Sequence, residues 1–251
     1  MIFHFTILLW SLIFALGLWL VAQGEILLQW SWYISVIGPL VLISLIATQR
    51  VTHRLADAAL PILLSVTAPV LLSLIDAPIE REVFAVLAGG MYYLGLLALY
   101  RLRSAPADQT AQSLLSMSIM AAMFFFYSGI YGFYINFNFP LWGLMALFFI
   151  GTGAVSYQAL INRERRNRWR ALFYSLVLGL IMGECAWALG FWPFGYLTTG
   201  ALALVLYAIL WDVTFTAFYG ELSLKRTIIR ILFLLVLVLL IIASTPWHIL
   251  V

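Results

Sequence analysis

The chain has 251 residues, 65% of them hydrophobic and 9% charged, with a formal net charge of +3. Soluble domains carry about 45–50% apolar and about 25% charged residues, so this much apolar surface requires lipid as its solvent. The same figures exclude intrinsic disorder, and the basic pI of about 9.1 does not imply nucleic acid, because the basic residues sit in short segments between apolar runs and act as topology signals.

A membrane helix needs about 20 mostly apolar residues. In chain order the runs are 2–21, 30–47, 58–75, 83–100, 112–135, 139–160, 172–192, 194–219 and 227–245. The expected fold is all-α: a single integral membrane domain over residues 1–251, with about nine spanning helices. Helix is preferred to strand because barrel strands would alternate apolar and polar residues over about ten positions, and these runs are continuous. The first run is too long for the apolar part of a signal peptide and has no Lys or Arg before it, so it reads as a retained first helix. Asp57 and Asp108 are placed to cap the third and fifth helices, with Pro61 tolerated in the first turn of the third. Asn136 to Pro140 form a turn between two runs. Gly89-Gly90, Gly151-Thr152-Gly153 and the pair Gly179 and Gly183 suit close helix packing.

Charge sorts along this chain. With the N-terminus in the cytoplasm, twelve of the thirteen basic residues fall on the inner side and only Arg81 on the outer. The positive-inside rule therefore predicts a cytoplasmic N-terminus and, for nine helices, a C-terminus outside. Trp19, Trp30, Trp32, Trp142, Trp187, Trp192 and Trp247 gather at the outer interface as an aromatic belt. The densest charge, Asn162 to Arg170, contains Arg163, Arg165, Arg166, Arg168 and Arg170. It reads as a cytoplasmic anchor with a capacity to touch anionic head groups.

Few residues offer chemistry. One cysteine, Cys185, excludes an internal disulfide and a thiolate metal site. His4, His53 and His248 lie far apart, so no metal or cofactor is expected. No zinc-protease, nucleophile-elbow or phosphate-loop pattern appears. Glu184 is the only carboxylate well inside an apolar run without a charged neighbour nearby. It lies roughly 20 Å from the inner end of its helix, in the outer half of the bilayer. Intramembrane carboxylates usually face the bundle interior and mark function. Tyr127, Ser128, Tyr131, Thr198 and Thr199 are expected at similar depth. Two readings follow: a proton-linked or ligand-binding carboxylate, or a protonated one hydrogen-bonded to those hydroxyls and joining helices. Asp212, nearer the inner end of the eighth helix, is a secondary carboxylate. It is either a second station of a proton path or the partner of Arg170 or Arg163.

The spacing Glu184-x-x-Trp187-x-Leu189-x-Phe191-x-Pro193, then an apolar helix, then Gly220-Glu221-Leu222-Ser223-Leu224-Lys225-Arg226, resembles the C-terminal part of an uncharacterised family of bacterial multi-pass membrane proteins. The resemblance covers the C-terminal third. It implies a bacterial inner-membrane setting and transfers no catalytic residue.

Three functions remain open. Sparse buried polarity and short loops favour a structural or assembly component of a membrane complex, with a membrane protein or a second copy as partner besides the lipid. Glu184 alone motivates a small proton-linked transporter or permease-like protein. A lipid-modifying membrane enzyme is the third, and the missing motifs weigh against it.

Overall fold

The computed structural model describes residues 2–23, 30–105, 108–137, 139–163, 167–219 and 224–244. Among them lie nine α-helices and no strand: α1 (Ile2–Gln23), α2 (Trp30–Thr52), α3 (Ala59–Leu72), α4 (Pro78–Ser104), α5 (Gln109–Phe137), α6 (Leu141–Arg163), α7 (Arg168–Leu189), α8 (Tyr196–Tyr219) and α9 (Leu224–Ser244). Lipid offers peptide groups no hydrogen bonds, and a helix satisfies them within its own segment. Among the described residues seven helices, α1, α2 and α4 to α8, are long and apolar enough to cross a membrane. Of the expected spans, α3 has only 14 residues, about 21 Å at 1.5 Å per residue against a core of about 30 Å.

The chain divides into two compact units, Met1–Gly129 and Ile130–Val251, the boundary falling within α5.

In the first unit, short α3 still carries the chain from one end to the other. Helices α2 and α4 run parallel. Ser44 Oγ lies 2.9 Å from Tyr92 Oη, and further along both helices Arg103 Nη1 donates to the Val51 carbonyl at 3.4 Å. Parallel helices with one helix between them require that helix to run back. Accordingly Ser65 of α3 bonds Ser44, and Leu60 lies against Gly95 of α4. A 3₁₀ turn at Leu55–Ala58 precedes α3 and extends its reach. Arg50, Arg54, Arg101 and Arg103 thus gather at one end of the unit. Gln23, bonded to Glu82, marks the other. For these four arginines the grouping expected from the sequence is built into the packing of the first unit.

Two capping expectations fare differently. Asp108 Oδ1 accepts the Thr110 and Ala111 backbone N–H groups at 3.0 and 3.3 Å, an N-cap for α5. Its Oδ2 meets Arg101 Nη2 at 3.0 Å. Asp57 lies instead inside the 3₁₀ turn, buried, and no side chain caps α3 at Ala58. Helix α2 ends on His53, whose φ of 53° is left-handed. The Thr52 hydroxyl accepts the Arg54 N–H there, helping the chain reverse without a glycine.

In the second unit, α6 and α7 form an antiparallel pair with backbones in direct contact. A Cβ added at Gly179 would lie 2.6 Å from the Phe149 carbonyl oxygen, and one at Gly183 would lie 3.1 Å from that of Met145. Gly153 faces the Ser175 carbonyl, and Gly190 faces Leu141. This is small-residue packing of the kind expected from Gly153, Gly179 and Gly183. Helix α8 adds Tyr207, fully buried, whose hydroxyl reaches Ser156 of α6 at 3.4 Å.

Candidate functional site

Helix α7 positions Glu184 by its period. Its buried positions are Ala171, Ser175, Leu178, Gly179, Met182, Gly183, Ala186 and Leu189. At about 100° per residue Glu184 lies roughly 180° from the centre of that stripe. It is exposed, in line with Phe173, Leu176, Val177, Leu180, Trp187 and Phe191, which are exposed too. The sequence-based expectation was a carboxylate facing the bundle interior. The helix turns it outward, because glycines and small residues claim the inner face. Among the described residues no hydrogen bond or ion pair engages its carboxylate. It lies about 24 Å along α7 from Arg168. One turn beyond it Trp187 packs edge-on to Phe191, ring centroids 5.1 Å apart.

Of the hydroxyls expected beside it, Tyr131 and Thr199 have other partners. Tyr131 is buried and donates to the Ala186 carbonyl at 2.7 Å. That carbonyl also accepts the Gly190 N–H at 3.0 Å, so both its lone pairs are used. The Tyr131 ring meets Phe148 edge-on at 5.3 Å. Thr199 donates to the Gly195 carbonyl of its own helix at 3.1 Å, and Thr198 is half-buried beside it. None of these three bonds Glu184. Tyr127 and Ser128 belong to the first unit and are fully buried there. The Ser128 hydroxyl has no hydrogen-bond partner among the described residues.

Asp212 is half-buried on α8, and its backbone carbonyl accepts the Thr216 hydroxyl at 2.8 Å. Arg170 does not pair with it. The guanidinium passes Asp212 by more than a turn, donates to the Ala217 carbonyl at 3.3 Å, and lies 5.6 Å from the Tyr174 ring and 5.5 Å from that of Phe218. A cation at the carbonyl end of α8 is favourable on both counts, helix dipole and ring quadrupole. Arg168 and Trp169 are exposed at the start of α7. Arg165, Arg166 and the Arg163 side chain lie outside the described residues.

One buried polar cluster went unread in the sequence. Ser65 donates to the Pro61 carbonyl at 2.8 Å, bonds Ser44, and Ser44 in turn bonds Tyr92. Tyr92 stacks on Phe14 with ring centroids 4.2 Å apart. Helices α2, α3 and α4 meet through these hydroxyls. Ser44, Thr48 and Thr52 repeat every four residues on one buried face of α2, and that spacing was the available signal. Thr48 and Thr52 bond carbonyls one turn back, as buried hydroxyls in membrane helices do. This hydroxyl chain includes no base, so it can join helices but cannot activate a nucleophile. No group of three or more His, Cys, Asp or Glu able to hold a metal occurs among the described residues.

Long apolar helices packed through glycines and buried hydroxyls define a multi-pass membrane protein of the helical class. A family model described as "Protein of unknown function (DUF5656)" matches residues 2–245, and the chain belongs to that family. The match spans nearly the whole chain, where the sequence resemblance had been confined to the C-terminal third. No curated protein and no solved structure matches it.

Proposed function

We propose that the protein is a structural or assembly component of a membrane complex in the bacterial inner membrane, with a cytoplasmic N-terminus. One observation carries this reading: Glu184 stands on an exposed apolar face of α7 and has no hydrogen-bond or ion-pair partner among the described residues. An intramembrane carboxylate is costly to desolvate, by up to several kcal/mol at the bilayer centre and less toward the interface. Facing lipid, it gains nothing that offsets this cost; against a partner it gains a hydrogen bond or a counter-charge. A transport role would place such a group inside the bundle, along a substrate path, so the outward placement favours assembly. The orientation rests on the basic ends of α2 and α4 lying together, combined with the positive-inside rule.

The test is isolation from native membranes in several mild detergents and in lipid nanodiscs. The expected result is a particle of fixed stoichiometry, larger than the 28.3 kDa chain. A chain that runs alone under every condition refutes the proposal.

A further inference from the structure

We propose that the Glu184 face of α7 is the docking site for a transmembrane helix of a different protein, one carrying a basic side chain at the same depth in the outer half of the bilayer. This rests on the assembly reading above and names the kind of partner. Three observations select it. The face is helix-shaped: Phe173, Leu180, Glu184 and Trp187 form an exposed stripe along α7, continued by Phe191 in the turn that follows. From residue 173 to the end of α7 at Leu189 the face spans about 24 Å, most of the thickness of the hydrocarbon core. Its single ionisable group is an acid, so the complementary group is a cation.

A second copy of this chain does not supply one. By the charge pattern of the sequence, twelve of the thirteen basic residues belong to the inner segments, on the side away from Glu184. The exception, Arg81, donates its Nε–H to the Ile75 carbonyl within its own unit. A symmetric pairing of this face would set carboxylate against carboxylate. Charge therefore points to a different chain.

The probe is a synthetic leucine–alanine transmembrane helix with one lysine placed at the depth of Glu184, compared with the same helix carrying leucine there. Each is labelled and titrated by energy transfer against the full-length protein in phosphatidylcholine vesicles. The lysine helix is expected to bind about threefold to tenfold more tightly, the range of one interhelical polar pair. Glu184→Leu should abolish that difference. It should also leave the fold intact, because the side chain touches nothing it supports. Equal binding of the two helices overturns the proposal, as does a lysine preference that survives Glu184→Leu. A third variant tests the alternative occupants. In a Cys185→Ser background, Leu180→Cys that cross-links copies of this chain to each other in native membranes identifies a second copy and overturns the proposal. If exchanging phosphatidylcholine for phosphatidylethanolamine removes the lysine advantage, the cation is a lipid amine, and the proposal fails.

The two readings fail separately. Intact co-purification with equal helix binding means that assembly uses another face. A chain solitary in its native membrane that still prefers the lysine helix means that the face is competent and the assembly reading wrong.

Discussion

Replacing Gly179 by alanine tests the claim that the α6–α7 contact is backbone on backbone. The new Cβ would lie 2.6 Å from the Phe149 carbonyl oxygen and 3.3 Å from the Gly153 nitrogen. Carbon–oxygen contacts close in only to about 3.3 Å, so the helices must separate locally by about 0.7 Å. Neither obstacle is a side chain that can swing aside. A radial gap of 0.5–1 Å forfeits about a quarter to a half of each van der Waals contact across it. Overpacking of this kind costs about 1–3 kcal/mol, partly offset by the 0.8–1 kcal/mol, roughly, that alanine gains over glycine within a helix. The net expectation is a loss of up to about 2 kcal/mol. Gly90 provides the control, since a Cβ there meets nothing within 4 Å, and Gly90→Ala should stabilise by up to about 1 kcal/mol. Both are measured by reversible denaturation in mixed micelles, or by steric trapping in bilayers. If the two variants shift stability equally, or if Gly179→Ala is the more stable, the close approach of α6 and α7 is wrong.

Three further outcomes follow from buried hydroxyls and a cap. Ser44→Ala breaks the chain from Ser65 to Tyr92 and should destabilise by about 1–3 kcal/mol by removing the Tyr92 hydroxyl's bond to Ser44; unfolding in micelles checks it, and Ser44→Thr should retain part of the bond. Tyr131→Phe leaves the Ala186 carbonyl its bond from Gly190, so the loss should be only about 0.5–1.5 kcal/mol, read by the same assay; a larger loss would mean the hydroxyl does more than join α5 to α7. Asp108→Ala should cost about 1 kcal/mol through the lost cap of α5, while Asp108→Asn keeps the acceptor oxygen and loses only the exposed pair with Arg101, worth little. Equal losses in the two Asp108 variants would shift the credit from the cap to the ion pair.

Composition and run length alone determined the class of this protein. A chain two-thirds hydrophobic with long continuous apolar runs has no soluble solution, and helices are the form that satisfies its backbone in lipid. The sorting of Arg50, Arg54, Arg101 and Arg103 to one end was also legible, because charge near a span is a one-dimensional property. So were the glycines of the α6–α7 contact, whose spacing is a property of one helix. Tertiary structure decided which way each polar residue faces. The sequence places Glu184 at a depth but carries no direct sign of its azimuth, since in lipid the outer face is as apolar as the inner and no amphipathic pattern separates them. Only the packing of α7 through Gly179, Gly183 and Ala186 turns Glu184 outward. For the same reason the hydroxyls of Ser44, Ser65 and Tyr92, scattered over three helices, became one cluster only when those helices were brought together. Arg170 found the end of α8 rather than Asp212 because a carbonyl terminus and two aromatic rings stood within its reach.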